Sequence, residues 1–267
     1  MRTRVIVGCL GVVLLLVVLL ALPAAATMIF IAALAVVAAH ELTRAAGISG
    51  RLTTYTMVAA VLVPIWCFFS HSLLLLELGA FIYLVVLAVE LIVRHGTEKE
   101  FSYKAALVML FGGIVVPLLL CSLLRLRMEP WVGRCLVFAP LVTAFAGDTA
   151  ALYAGMHFGE HKLAPAVSPN KTLEGSIGGL IGSVVCIVLF GLVVHLVRRS
   201  LPWSYLLMGG VLGAILGQLG DLFFSVIKRE CGVKDYGRLL PGHGGVLDRF
   251  DSVLFTAPLF WLLWNVL

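Results

Sequence analysis

The chain has 267 residues, of which 61% are hydrophobic and only 12% are charged, and its formal net charge is +5. Apolar runs long enough to cross a bilayer recur from end to end, which excludes a soluble globular domain. The positive charge does not require a nucleic-acid partner, because basic loops beside anionic lipid headgroups give the same balance.

The apolar segments predict an all-α, polytopic integral membrane protein with about nine transmembrane helices. In chain order the predicted spans are residues 5–22, 27–45, 52–70, 73–93, 103–124, 135–158, 175–197, 203–227 and 252–267. Nine spans place the two ends of the chain on opposite sides of the membrane. The first segment is open to a second interpretation, a cleaved signal that ends at the small residues 24–26.

The basic residues predict the orientation of these helices. With the N-terminus in the cytoplasm, fourteen of the nineteen Lys and Arg residues fall on the cytoplasmic side, in agreement with the positive-inside rule. Both long polar connections, residues 157–174 and 228–251, then open to the cytoplasm, where nucleotides are found. We therefore expect a multi-pass protein of the inner (cytoplasmic) membrane whose active-site loops face the cytoplasm.

Charge divides this single membrane domain into two regions. Up to residue 124 the charges mostly lie at helix ends, whereas from Asp148 onward they enter the spans themselves. We therefore predict that residues 1–124 are scaffold or lipid-contacting helices. Residues 125–267 are predicted to form the catalytic region, with loops 157–174 and 228–251.

Asp148 lies midway along an apolar span, where a carboxylate is costly unless a cation, a hydrated cleft or a polar neighbour receives it. The plain alternative is a polar contact between two helices. The loop that follows carries Lys171 and leads directly into the next helix, whose free N–H groups favour anions. Lys171-Thr172 is not a P-loop, because the preceding glycines are missing.

The eighth span has glycines at every fourth position, Gly209, Gly213 and Gly217, which predicts one face in close contact with a neighbouring helix. Asp221 continues this face, and Lys228 extends it toward the cytoplasmic end. A seam used only for packing would not carry Asp221. A structural ion pair between Asp221 and Lys228 is the competing interpretation.

The polar stretch 225–251 then turns through the glycines at 242, 244 and 245, which permit positive φ and a tight backbone path near a ligand. Asp248 and Asp251 are three residues apart at the start of the last span, so both can face one cavity. N-capping is the plain alternative for either one. Carboxylates without Cys or His ligands favour hard cations such as Mg²⁺, which bind phosphates. We assign His243 to phosphate binding or loop ordering.

These motifs resemble those of the phosphatidate cytidylyltransferases, also called CDP-diacylglycerol synthases. The family signature, S-x-x-K-R, four residues, K-D-x-G, two residues, L-P-x-H-G-G-x-x-D-R-x-D, is present at every fixed position in residues 225–251. The upstream block, with H-K-L-A-P and S-P-x-K-T-x-E-G, is present in residues 148–175. The first 120 residues are similar only in hydropathy and at Glu41. Where the family usually has Tyr, this chain has Leu152, and the neighbouring Tyr153 points about 100° away on a helix.

The resemblance implies that CTP and phosphatidate react to give CDP-diacylglycerol and pyrophosphate, with Mg²⁺ required. It further implies a potassium ion beside the magnesium, contact with membrane lipids and a homodimer. Phosphatidate is a phosphomonoester with a second pKa of about 6, so it is mostly a dianion at neutral pH. Its phosphate oxygen can therefore act as the nucleophile without a Ser or His base. The site must neutralise and align two polyanions.

The predicted residues fall into three sets. Asp221 and Asp248 are the predicted metal ligands. The predicted catalytic residues are Asp221, Lys228, Asp248, Arg249 and Asp251. The predicted substrate-binding residues are Asp148, Lys171, Arg229, Lys234, Asp235 and His243.

Two other classes of protein compete with this interpretation. A transporter would also place Asp148 and Asp221 inside the membrane, but its charges should line a path to both faces. A CTP-using lipid kinase, such as a polyprenol kinase, would transfer a different phosphorus atom. The CDP-alcohol phosphotransferase class is disfavoured because the chain has no D-G-x-x-A-R block.

Overall fold

The computed structural model describes residues 2–70, 72–97, 101–197, 200–239 and 244–267, and of residues 2–6 it describes the backbone alone. The predicted substrate-binding residue His243 lies outside the described residues. The same holds for signature residues Leu240 and Pro241, and for three of the basic residues used to predict orientation, Lys99, Arg198 and Arg199.

The first half of the chain is a succession of helices. Helix α1 (Arg2–Leu16) continues through a π-helical turn (Val17–Ala21), and α2 (Ala24–Ala45), α3 (Arg51–Phe69) and α4 (Leu73–Arg94) follow. Helix α5 (Tyr103–Leu110) is joined to α6 (Val116–Met128) by a second π-helical turn (Phe111–Val115).

The second half contains α7 (Gly133–Leu136), α8 (Phe138–Phe158), a hairpin of β1 (Lys162–Ala164) and β2 (Ser168–Thr172), and α9 (Leu173–Leu196). It continues with α10 (Trp203–Glu230), the single turn α11 (Leu247–Phe250) and α12 (Val253–Val266). The two strands pair antiparallel, with Lys162 opposite Thr172 and Ala164 opposite Ser168.

Among the described residues, seven helical stretches are long and apolar enough to cross a membrane: Ala24–Ala45, Arg51–Phe69, Leu73–Arg94, Tyr103–Met128, Gly133–Phe158, Leu173–Leu196 and Trp203–Glu230. Two further apolar helices, Val7–Ala21 and Val253–Val266, are shorter. The predicted class, a helical polytopic membrane protein, is confirmed. The hairpin was not predicted, because the sequence indicated only a polar loop over residues 157–174.

Small residues let the helices around the site approach closely. A Cβ atom on Gly178 or Gly182 of α9 would overlap the side chains of Ala154 and Ala150 on α8. The glycine face predicted on α10 is confirmed: Gly209 meets Phe260 and Gly217 meets Thr256, both on α12. This contact brings the start of α12 beside Asp221.

Helix α2, in the first half of the chain, reaches the last polar loop. It packs against α3 and α6, and its C-terminal end contacts the short helix α11. Its buried side chains include Ala35, Ala39 and Leu42 in the main hydrophobic core, and also the carboxylate of Glu41.

Candidate active site

A cavity of about 620 Å³ lies between α8, the hairpin, the start of α9 and α10. Its polar lining includes Asp148, Lys171 and Asp221, while Leu152 and Met156 of α8 line an apolar side. The cavity therefore combines ionisable groups of both signs with apolar side chains.

The hairpin presents Lys171 to this cavity. Its Nζ lies 2.6 Å from Oδ2 of Asp221, and the two side chains are 26% and 27% exposed. The hydroxyl of Thr172 accepts a hydrogen bond from Gly175 N at 3.1 Å and so caps α9 directly after the strand. Lys171 is therefore held in place by a strand on one side and a capped helix on the other.

Glu174 fastens the base of the hairpin. Its carboxylate accepts hydrogen bonds from the backbone N–H groups of Glu160 and His161, and Nδ1 of His161 lies 2.6 Å from Oε1. The N–H of Leu173 donates to the carbonyl of His161 at 2.9 Å. These contacts tie the hairpin to the start of α9.

Asp148 and Asp251 meet at Ser252, where the chain passes from α11 into α12. The Ser252 hydroxyl donates to Oδ2 of Asp148 at 2.9 Å, and the Ser252 N–H donates to Oδ1 of Asp251 at 2.8 Å. Burial raises the pKa of the Asp251 carboxyl to about 8; the charges of Asp221 and Asp148 act in the same direction, and Lys228 opposes them. Three carboxylates therefore lie within electrostatic range of one another.

Lys228 and Asp248 form a second ion pair, which is more deeply buried. Nζ of Lys228 lies 2.9 Å from Oδ1 of Asp248, and the side chains are 11% and 4% exposed. The other oxygen, Oδ2, accepts hydrogen bonds from Tyr236 N at 2.9 Å and Gly245 N at 3.0 Å. Gly244 has φ of +85°, so the predicted tight turn uses the backbone freedom of glycine at this position.

These two pairs decide between the alternatives for Asp221. Asp221 is paired with Lys171 of the hairpin, and Lys228 is paired with Asp248 of the last polar loop. The competing interpretation, a structural Asp221–Lys228 ion pair, is therefore wrong. The hydroxyl of Ser225 is the neighbour of Asp221 on its own helix, and it donates to Oδ1 at 3.3 Å.

The other predicted residues that the structure describes are exposed. Arg229 is exposed and donates from Nε to the carbonyl of Val167 at 3.2 Å, which ties the end of α10 to the hairpin turn. Arg249 is exposed and lies within electrostatic range of Asp148. Lys234 and Asp235 are exposed on the loop after α10.

The structure adds residues that the sequence did not single out. Gln218, one turn before Asp221, pairs with Ser176 of α9, and its Nε2 also donates to the Ser176 carbonyl at 3.0 Å. Tyr236 donates its hydroxyl to the carbonyl of Phe224 at 2.9 Å. The sequence could have indicated Gln218, because it lies one turn from Asp221 on the same helix. The roles of Ser176 and Tyr236 depend on tertiary contacts and could not be predicted in this way.

The donor atoms suit a hard cation, but their arrangement does not enclose one. Within the described residues, no three Asp, Glu, His or Cys side chains form a group that could hold a metal ion. Around Asp221 the available atoms are carboxylate and hydroxyl oxygens, which Mg²⁺ prefers. The ammonium group of Lys171 lies against one of these oxygens. The ligand types therefore fit magnesium, provided that Lys171 moves away from Asp221.

Comparison with known proteins agrees with the resemblance found in the motifs. Residues 2–267 match the sequence profile of the Cytidylyltransferase family. The phosphatidate cytidylyltransferase of Bacillus subtilis is 35% identical over 188 residues, which are 70% of this chain and 67% of that protein. The phosphatidate cytidylyltransferase of Haemophilus influenzae is 37% identical over 184 residues, 65% of this chain and 63% of the relative. That of Thermotoga maritima is 40% identical over 129 residues, 48% of each chain.

The matched regions thus span about two thirds or less of these relatives. The family profile, by contrast, covers nearly every residue of this chain. On that match, the chain belongs to the cytidylyltransferase family.

Proposed function

We propose that this chain is a membrane enzyme that transfers the cytidylyl group of CTP to phosphatidate, giving CDP-diacylglycerol and pyrophosphate for phospholipid synthesis. The observation that carries the proposal is the pair of Lys–Asp contacts, Lys171–Asp221 and Lys228–Asp248, beside a cavity that also has an apolar side. The names of the relatives support the same activity.

In the proposed reaction an oxygen of the phosphatidate phosphate attacks the α-phosphorus of CTP. The new P–O bond forms as the bond between the α-phosphorus and the pyrophosphate oxygen breaks, and pyrophosphate leaves. Because the attacking phosphate is already ionised near neutral pH, the residues need not remove a proton. Their task is to bring two polyanions together and to offset the negative charge of the transition state.

The basic residues divide that task by position. Lys228, Arg229 and Arg249 would hold phosphatidate and the departing pyrophosphate, and Lys171 with Lys234 would attract the triphosphate. The contact of Arg229 with the Val167 carbonyl also ties the end of α10 to the hairpin. Each ammonium group that now faces a carboxylate can turn toward a substrate phosphate, because the substrate brings negative charge of its own.

Magnesium would offset the charge of the triphosphate and polarise the α-phosphoryl group. Asp221 is the predicted ligand closest to the cavity, with Asp251 and Asp148 nearby to bind or orient. Asp248 remains the second predicted ligand. Since both of its oxygens are now engaged, it becomes available only when Lys228 leaves it. The potassium ion and the homodimer stay predictions from the family resemblance.

The proposed topology has nine membrane crossings, made by the seven long helices and the two shorter ones. The hairpin and the loop after α10 lie at the cytoplasmic surface, where CTP is available. Phosphatidate reaches the same cavity from the bilayer, past Leu152 and Met156. The second half of the chain supplies the reacting groups, and the first half supports them.

The test is the fate of CTP labelled on the α-phosphorus. Purified protein in phosphatidate-containing micelles should place the label in the lipid fraction and release pyrophosphate, and diacylglycerol should not replace phosphatidate. A kinase would label lipid only from the γ-phosphorus, and a transporter would leave the lipid unlabelled. Either of these outcomes would overturn the proposal.

A further inference from the structure

Glu41 of α2 binds the backbone of the last polar loop, about 200 positions away in the sequence. Its side chain is buried, at 4% exposure. Oε1 accepts a hydrogen bond from Val246 N at 3.0 Å, and Oε2 accepts one from Leu247 N at 2.9 Å. The two oxygens of the Glu41 carboxylate thus accept hydrogen bonds from two successive backbone N–H groups.

Two glycines of the same loop make room for this carboxylate. A Cβ atom on Gly245 would lie 2.5 Å from both carboxylate oxygens of Glu41. A Cβ atom on Gly237 would overlap Oε1. Neither glycine has positive φ among the described residues, so what these positions require is the absence of a side chain. The carboxylate of Glu41 therefore explains why residues 237 and 245 are glycines.

Asp248 holds the same loop from its other side. Oδ2 of Asp248 accepts hydrogen bonds from the N–H groups of Tyr236 and Gly245. Glu41 accepts hydrogen bonds from the next two N–H groups, those of Val246 and Leu247. Three successive N–H groups, of residues 245–247, are therefore bound by two carboxylates. Asp248 follows directly, and its Oδ1 holds Nζ of Lys228 at 2.9 Å.

The burial of Glu41 has a physical cost that helix packing does not require. A buried carboxylate is unfavourable unless hydrogen bonds satisfy it, and an apolar residue would pack α2 against its neighbours without that cost. What Glu41 provides, and an apolar residue cannot, is a fixed path for the backbone at residues 245–247.

We propose that Glu41 is a positioning residue of the transfer reaction: by fixing the backbone of residues 245–247 it sets the positions of Asp248 and, through Asp248, of Lys228. This inference rests on the proposed function. It gives the first half of the chain a part in the chemistry, because the group that aligns the catalytic loop comes from α2.

The first experiment compares Glu41→Gln with the control Glu90→Gln. Glu90 is a buried carboxylate at 9% exposure in the same half of the chain, and it pairs with Arg51 and Arg94, away from the loop. In Glu41→Gln the amide NH₂ group faces a backbone N–H, so one of the two hydrogen bonds is lost. Hydrogen exchange of a peptide covering residues 244–250 should become at least about tenfold faster. The control should leave that peptide unchanged.

Kinetics provide the second measurement. Misplacement of Lys228 and Asp248 should lower kcat at least about tenfold and change KM for CTP much less, since positioning acts mainly in the transition state. A general loss of stability would instead lower the fraction of active enzyme. Hydrogen exchange would then become faster throughout the protein, and no more so at residues 244–250 than elsewhere.

A third measurement tests the contact from the glycine side. Gly245→Ala should lower kcat, whereas Gly79→Ala, at a helical position with open space around it, should not. Because Asp is one methylene shorter than Glu, Glu41→Asp makes room for the new Cβ. The fold-loss of kcat in the double variant Glu41→Asp/Gly245→Ala should therefore be smaller than the product of the fold-losses in Glu41→Asp and in Gly245→Ala.

Normal exchange and normal kcat in Glu41→Gln would overturn the inference, and so would strictly multiplicative losses in the double variant. If Glu41→Gln does not fold, the comparison of Gly245→Ala with the double variant Glu41→Asp/Gly245→Ala decides, by whether the two losses of activity multiply. Faster exchange in Glu41→Gln, combined with a wild-type protein that labels no lipid, would instead keep the contact and refute the proposed function.

Discussion

Asp248→Asn separates the stability of the buried ion pair from its role in the reaction. The substitution keeps the size of the side chain and one carbonyl oxygen, which can still accept from Tyr236 N and Gly245 N. It removes the negative charge 2.9 Å from Nζ of Lys228, whose side chain is only 11% exposed. Lys228 is then left as a buried cation without its partner.

The expected magnitude follows from that burial. Removing one partner of a buried ion pair costs about 3–5 kcal/mol. We expect about 3 kcal/mol, the lower end, because the Lys228 side chain is still 11% exposed and water can reach part of its charge. For a chain of this size, that corresponds to a fall in Tm of roughly 6–12 °C.

The double variant Asp248→Asn with Lys228→Met removes both charges. Since an ion pair replaced as a whole is often neutral for stability, its Tm should return to within a few degrees of the wild type. Lipid labelling from CTP should fall at least about 100-fold in the single and the double variant alike, because the reaction needs both groups. Thermal unfolding in detergent and labelling kinetics measure the two effects. A single variant as stable as the wild type, or a double variant with normal turnover, would refute the reasoning.

Three further predictions concern the cation site, Arg249 and the helix packing. Asp221→Asn should abolish labelling of lipid at every Mg²⁺ concentration, while Glu90→Gln keeps it; near-normal turnover would remove Asp221 from the metal ligands. Arg249→Lys should slow turnover about tenfold through loss of bidentate phosphate contact, and unchanged kinetics would make it structural. Gly182→Ala should destabilise the protein by about 1–3 kcal/mol through overlap with Ala150, and an unchanged Tm would show that α8 and α9 separate easily.

The spacing of residues along helices was enough to predict much of this fold. The apolar runs identified the membrane helices, and the glycines at every fourth position of α10 identified its contact face. Both features depend on local periodicity, which a single sequence contains. The hairpin was missed because residues 162–172 show no alternation of polar and apolar side chains, and its position depends on Glu174 and on the capped start of α9.

The partners of the charged residues could not be predicted in the same way. Asp221 and Lys228 lie on one face of α10, but seven residues of helix separate their backbones by about 10.5 Å. Each side chain therefore finds a closer partner from another element, Lys171 on the hairpin and Asp248 in the last loop. The contact of Glu41 with the loop likewise depends on how α2 packs beside α11, which no local pattern specifies.

The two ion pairs also bear on how one site can accept two anions. A lysine left without a counter-charge in a partly buried cavity would bind stray phosphate or lose its proton, and a carboxylate without a cation would repel both substrates. Pairing Lys171 with Asp221 and Lys228 with Asp248 avoids both states in the resting enzyme. In the proposed reaction, the charge of a substrate phosphate would compete with that of the aspartate for the lysine. The aspartate would then be free to hold magnesium, which would supply positive charge beside the nucleotide phosphates. We therefore propose that binding of the nucleotide with magnesium is coupled to release of the lysine that faces the substrate phosphate. The acidic residues of the site are thus compatible with negatively charged substrates.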